Sequence, residues 1–241
     1  MRLFDAYDKW QPSTVQKLLQ SEEYLGWVGG DVHTLWAHGI AGGGKTVFSS
    51  VVVSTLKDAQ RSQGRNERAA VACLFCEYER QKDQTLRSLV LAILRQLADQ
   101  CEILPDSVTA LFSQYESIGS SHLRFEDISV ALTATLGEFS RVYIVVDALD
   151  ECSDGTRREL LAHLAEQQRK SELRILATAR PTVDFRKEYG GECSELEIKA
   201  DVTDVKTVLD KLIDKSNSFV RTDKELRKRV MDNVAVAVDG M

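Results

Sequence analysis

Eight consecutive residues, Gly39-Ile40-Ala41-Gly42-Gly43-Gly44-Lys45-Thr46, have the types and spacing needed to hold a phosphate. They fit the pattern G-x-x-x-x-G-K-[ST]. Glycines allow successive backbone N–H groups to turn inward around an anion without a Cβ clash. A helix beginning at Lys45 aims the positive end of its dipole at the same anion. The Lys45 ammonium is long enough to reach β- and γ-phosphates, and the Thr46 hydroxyl is a ligand type suited to Mg²⁺. Val47, next in that first helical turn, completes the set expected to contact a nucleotide.

A second constellation lies roughly a hundred residues downstream, in Tyr143-Ile144-Val145-Val146-Asp147-Ala148-Leu149-Asp150-Glu151. Four apolar residues end in Asp147, at the carboxyl end of a strand-like run, where ligands of open α/β sheets sit. Asp147 is placed to hold Mg²⁺, directly or through a water. Asp150 or Glu151 can orient and deprotonate an attacking water. An acidic strand-to-helix loop serving only as a cap is the plainer alternative. A third segment, Leu176-Ala177-Thr178-Ala179-Arg180-Pro181, puts a cation at the end of another apolar run. Arg180 there can stabilise transition-state charge or report on a γ-phosphate.

These segments require alternating strands and helices to position them. His33–His38 reads as a strand and Lys45 to about Arg61 as a helix, with Arg61–Arg68 a polar loop. Ala69–Cys76 reads as a buried strand, and Thr85–Cys101 as a strongly amphipathic helix. Ser107–Ser117 and Arg124–Glu138 are further helices, separated by Gly119-Ser120-Ser121. Arg141–Asp147 is a near-continuous apolar strand of the kind buried in a parallel sheet. A helix over about Arg157–Lys170, strands at Leu173–Thr178 and Glu195–Ile198, and helices at Asp201–Lys215 and Asp223–Val238 complete the pattern. Alternation of this kind implies one α/β domain with a parallel sheet.

The chain has 241 residues, 43% hydrophobic and 28% charged, with a formal charge of −6. An acidic balance disfavours nucleic acid, so no nucleic-acid partner is expected. The basic run Arg221–Arg229 reads as a solvated helix face. No apolar run approaches a membrane span, and no signal core opens the chain, so no membrane partner and a cytoplasmic location are expected. The cysteines, Cys73, Cys76, Cys101, Cys152 and Cys193, are odd in number and widely spaced, which argues against a disulfide framework. Cys73 and Cys76 form a CxxC in a strand-like run, where positions three apart face opposite sides, and are read as buried thiols rather than a zinc site. Tyr24, Trp27 and Val28 are read as core residues in preference to a platform for a base. His38 is read as structural, and His33, His122 and His163 show no partner pattern.

Together, WAHGIAGGGKT, YIVVDALDEC and LATARP resemble the first motif, the acidic Walker B and the sensor 1 segment of the NACHT family. This is the STAND class of AAA+-related P-loop NTPases, in its fungal form. FCEYERQKDQTLRSLVLAILRQL is similar to the segment after the second strand in fungal members. The resemblance implies a three-layer α/β P-loop fold with a five-stranded parallel sheet in the order 5-1-4-3-2, flanking helices and a helical tail. It implies a lead-in over residues 1–33, a core over 34–200 and the start of a helical extension over 201–241. It implies ATP or GTP with Mg²⁺ as cofactors, Thr46 and Asp147 as the metal's ligands, and Asp150, Glu151 and Arg180 as the catalytic set. It also implies self-association through the NTPase domain, in nucleotide-switched signalling or immunity. The family's winged-helix region, effector domain and repeats are expected to lie outside this chain. The alternatives are a module that holds nucleotide without hydrolysis and a P-loop small-molecule kinase. Against a kinase, the stretch Thr85–Glu138 offers no evident lid; against a GTPase, no DxxG follows Asp147 and no [NT]KxD is present.

Overall fold

A computed structural model describes residues 12–62, 68–118, 123–199, 206, 209–210, 213–214 and 219–239. The five strands form a parallel sheet: β1 (Thr34–His38), β2 (Ala69–Phe75), β3 (Arg141–Asp147), β4 (Leu173–Ala179) and β5 (Ser194–Glu197). Their spatial order is β2-β3-β4-β1-β5, the order the resemblance implied. The helices are α1 (Pro12–Leu19), α2 (Glu22–Gly29), α3 (Lys45–Ser62), α4 (Leu86–Ala98), α5 (Asp106–Ile118), α6 (Phe125–Gly137), α7 (Asp154–Gln168), α8 (Phe185–Tyr189) and α9 (Lys224–Asp239). The helix expected over Asp201–Lys215 falls largely outside the described residues, as do His122 and Gly119–Ser121. The expected loop Arg61–Arg68 is outside them over 63–67.

The two-residue period of the strands sorts their side chains onto two cores. Val142, Ile144 and Val146 of β3, with Ala70, Ala72 and Leu74 of β2, pack with α4, α6 and α7. Tyr143 and Val145, with Ala69 and Val71, pack on the other face against Phe48, Val51, Val52 and Leu56 of α3 and Trp27 of α2. Helices therefore cover both faces, which is what fully buried parallel strands demand. Trp27 is fully buried and Tyr24 nearly so, in agreement with their reading as core. The α2 helix is tied down by Arg174 of β4, whose guanidinium donates to the carbonyl oxygens of Trp27, Val28 and Gly29. The α7 helix begins three residues earlier than the periodicity predicts, because Ser153 caps it by accepting the Thr156 N–H at 3.2 Å.

The edge strand β2 is closed by side chains. Gln96 of α4 donates to the Cys73 carbonyl at 2.8 Å and accepts its N–H at 3.0 Å. One helical turn on, Gln100 donates to the Val71 carbonyl at 2.9 Å and accepts its N–H at 3.1 Å. Two amides thus occupy the positions a sixth strand would take, satisfying backbone groups that an open edge exposes. Replacing Gln96 or Gln100 with Leu is expected to cost about 1–3 kcal/mol each. Chemical denaturation measures the loss, and light scattering of the double variant is expected to show association through the bared edge.

Candidate nucleotide site

Because the sheet is parallel, the carboxyl ends of β1, β3 and β4 open on one edge, and the three sequence constellations meet there. His38 pairs with Ala179, and the Gly39 N–H donates to the Ala179 carbonyl at 3.3 Å, so the glycine loop starts beside Arg180. Gly42 and Gly44 have φ of +78° and +97°, and a Cβ at either would meet nothing within 4 Å. Backbone conformation rather than crowding therefore demands glycine at these two positions. At Gly39 the reason is different: a Cβ would run into the Ile198 carbonyl oxygen at the end of β5. Lys45 donates to the carbonyls of Gly39 and Ile40, each at 2.8 Å, folding over its own loop. Burial pushes the Lys45 ammonium below its usual pKa, opposed by the nearby carboxylates of Asp150, Asp147 and Glu151.

Asp147 sits on the same face of β3 as Tyr143 and Val145, which is the face α3 covers. It is 2% exposed. Its carboxylate accepts three hydroxyls: Thr46 on Oδ2 at 2.7 Å, Ser49 on Oδ1 at 2.8 Å and Thr178 on Oδ1 at 2.7 Å. Thr178 lies on the matching face of β4, and its oxygen also accepts the Ala148 N–H at 2.9 Å. Ser49 and Thr178 were absent from the residues singled out by sequence. Strand alternation at Thr178 and the three-residue helical step from Thr46 to Ser49 were the signals that pointed to them.

The chain leaves β3 through Ala148, whose φ of 55° and ψ of 49° are left-handed. Among the described residues it is the one non-glycine with positive φ. Such strain persists only where surrounding bonds impose it, and here the Thr178 hydroxyl does. A 3₁₀ turn, Leu149–Glu151, follows. Asp150 faces Arg180: the guanidinium Nε lies 2.9 Å from Oδ2, and the Arg180 N–H donates to Oδ1 at 3.1 Å. Glu151 points to the segment after β2, where its carboxylate accepts the Tyr78 N–H at 3.1 Å. The backbone carbonyl of Glu151 accepts from the Gln81 amide at 3.3 Å.

The oxygens suit Mg²⁺. Adjacent ligands of an octahedral ion with bonds near 2.1 Å stand about 3 Å apart, and Thr46 Oγ1 and Asp147 Oδ2 are 2.7 Å apart. Asp147's partners are neutral hydroxyls, so its charge stays available to a cation. Val47 follows Thr46 within the first turn of α3, half-buried. His38 keeps a buried Nδ1 with no hydrogen-bond partner and packs against Trp36, ring centroids 4.6 Å apart and the planes tilted by 40°. His163 is buried against Phe125 on the side of the sheet that α4, α6 and α7 cover, and burial lowers its pKa. His33 is exposed at the opposite end of β1, 3.7 Å from Glu172.

Beyond Arg180, α8 is held by an ion cluster. Arg157 of α7 is 2.7 Å from Glu188 and 3.0 Å from Asp154. The hydrogen bond from Arg157 holds the Glu188 carboxyl below the usual carboxylate range.

The family described as Nephrocystin 3, N-terminal, has a model that matches residues 13–180. No curated protein matches the chain. Among solved structures, the chain is similar to the Orc1 protein of Aeropyrum pernix in complex with DNA. The TM-score is 0.55 at 16% identity, covering 86% of this chain and 50% of that one. It is also similar to Cdc6p from Pyrobaculum aerophilum, with TM-score 0.48, 12% identity and coverage of 86% and 52%. For Drosophila ORC bound to DNA the values are 0.46, 16%, 92% and 54%. The chain spans about half the length of these three chains. The Orc1 likeness shows the fold, a five-stranded parallel sheet between two layers of helices.

The acidic balance was read as excluding a nucleic-acid partner, yet a protein sharing this fold is solved in complex with DNA. Net charge sums over the whole chain, whereas phosphates are contacted by local groups, so the sum excludes nothing. No helix among the described residues is long and apolar enough to cross a membrane.

Thr178→Val keeps the side chain's shape but removes the donor to Asp147 and the acceptor for Ala148. The expected loss is about 1–3 kcal/mol of stability by chemical denaturation. The Glu188 carboxyl is depressed when folded, so its contribution is present above the ordinary carboxylate pKa and is lost as pH falls through its lower folded value. Glu188→Gln is expected to flatten the acid side of the stability–pH curve, measured by melting between pH 3 and pH 7.

Proposed function

This chain belongs to the Nephrocystin 3, N-terminal family, and on that footing we propose that it binds a nucleoside triphosphate with Mg²⁺ and acts as a slowly hydrolysing nucleotide switch. One observation carries the proposal: Thr46 Oγ1 and Asp147 Oδ2 meet at 2.7 Å behind a loop whose Gly42 and Gly44 have positive φ. The loop N–H groups and the start of α3 bind phosphate oxygens. Lys45 leaves the carbonyls of Gly39 and Ile40 for the β- and γ-phosphates, Val47 adds a backbone contact, and Thr46 and Asp147 hold the metal. Mg²⁺ held there would supply positive charge to offset the charge that develops on the phosphates. Glu151 or Asp150 orients and deprotonates water, and Arg180 stabilises charge at the γ-position. The nucleotide is ATP or GTP. The nucleotide-binding core occupies residues 34–200, between a lead-in over 1–33 and a helical extension from 201. By the NACHT resemblance, the switch governs self-association of this domain in signalling.

A second reading, a module that holds nucleotide without turnover, is favoured by one specific feature. Both candidate acids are already engaged, Asp150 by Arg180 and Glu151 by the Tyr78 N–H.

Lys45→Ala is expected to weaken Mg²⁺-dependent nucleotide binding by roughly tenfold to a hundredfold, the equivalent of about 1.5–3 kcal/mol for a charged hydrogen bond. A fluorescent-nucleotide titration reads it. Wild type that binds nothing in Mg²⁺, indistinguishable from Lys45→Ala, refutes the site. Glu151→Gln is expected to retain binding and lose phosphate release; equal release by both proteins favours the module without turnover.

A further inference from the structure

Cys76 and Cys152 are 76 residues apart in sequence, yet their sulfurs lie 3.1 Å apart. Both thiols are free, and the two residues are only 1% and 2% exposed. Register brings them together. Phe75 pairs with Asp147, and the next N–H, that of Cys76, donates to the Asp147 carbonyl at 3.0 Å. The chain then turns through Leu149–Glu151 and lays Cys152 over the end of β2. Cys73, the other member of the CxxC, packs on the opposite face of the sheet.

We propose that Cys76 and Cys152 are a disulfide-forming pair whose oxidation fastens the acidic turn to the end of β2. A disulfide needs sulfurs about 2.05 Å apart, so closure asks for a movement of about 1 Å. The oxidant is hydrogen peroxide, small and neutral enough to enter when the turn opens locally. One sulfur attacks a peroxide oxygen; the O–O bond breaks, a sulfenic acid forms and one water leaves with the thiol proton. The second sulfur attacks the sulfenic sulfur; the S–O bond breaks, the S–S bond forms and a second water leaves. The two thiols are oxidised by two electrons, and peroxide is reduced to two waters. The bond adjoins Glu151 and fixes the turn in the arrangement where Glu151 accepts from Tyr78. Slower phosphate release follows from this, a consequence that rests on the proposed hydrolysis.

The test treats the full chain with hydrogen peroxide, blocks remaining thiols under denaturing conditions, digests without reduction and identifies peptides by mass spectrometry. The expected product is a Cys76–Cys152 cross-link, an intact mass lower by two hydrogens, restoration by dithiothreitol, and no cross-link in Cys152→Ser. Amide hydrogen exchange over residues 148–152 is expected to slow at least several-fold in the cross-linked form. Cys76 and Cys152 still reduced at doses that oxidise Cys73 or Cys101, or Cys76 joined to another cysteine, overturns the pairing. A verified cross-link with unchanged exchange overturns the fastening. Reduced protein that releases no phosphate counts against hydrolysis alone, since mass and exchange do not depend on it.

Discussion

A carboxylate withdrawn from water must be hydrogen-bonded on its own terms, and at Asp147 this requirement organises the upper edge of the sheet. Its oxygens accept from Thr46 and Ser49 of α3 and from Thr178 of β4. Three elements distant in sequence are thereby set to within a hydrogen bond of each other. The rest follows in order. Thr178, having donated to Asp147, has a lone pair for the Ala148 N–H, and that bond draws Ala148 into a left-handed conformation. The strained exit sends the chain into a tight turn, which delivers Asp150 to Arg180 and Glu151 to Tyr78. Loss of the Asp147 cluster would remove the reason for each later step.

The supporting frame is stiff where the cluster needs it. On one face α3 packs Phe48, Val51 and Val52 against Val145 and Leu176, so the helix bearing Thr46 cannot slide relative to β3. On the other, α4, α6 and α7 bury Ile144 and Val146. At the β2 edge the amides of Gln96 and Gln100 complete the ladder. At the opposite edge β5 is short, and the closeness of Gly39 to Ile198 binds the start of the loop to the strand beside it. At the loop's own turns, Gly42 and Gly44, an added Cβ would meet nothing within 4 Å, so open space adjoins the backbone there.

How much of this the sequence carried depends on how local each signal is. The run RVYIVVD and the loop GIAGGGKT state their conformations in adjacent residues, so strand, loop and helix could be placed within a residue or two. The face on which Asp147 lies was also legible, since alternation along β3 assigns it with Tyr143 and Val145. The start of α7 was misplaced because a single serine cap, Ser153, outweighed the onset of apolar periodicity. The glutamine bridges and the Cys76–Cys152 contact were not legible, because each depends on the register of β2 against β3 or on the height of α4 above it. The sheet order needed the family resemblance, since alternation of strands and helices fits several orders. Net charge misled for the converse reason: it discards position, and binding depends on position.

Both candidate acids accept a backbone N–H, Asp150 from Arg180 and Glu151 from Tyr78, and Asp150 adds an ion pair. Asp150 is held by a guanidinium whose side chain is 54% exposed, and exposed ion pairs contribute only about 0–1 kcal/mol. Glu151 accepts a backbone N–H, and a charged hydrogen bond of this type contributes about 1.5–3 kcal/mol. The Arg180 guanidinium is the easier group to turn toward a phosphate, since water compensates its exposed side chain while Asp150, 11% exposed, keeps the Arg180 N–H as a donor. Moving Glu151 leaves the Tyr78 N–H without its partner, so that step needs a change in the segment after β2 as well. On the proposed function, turnover waits on two segments moving together, and that coupling is what a nucleotide switch requires.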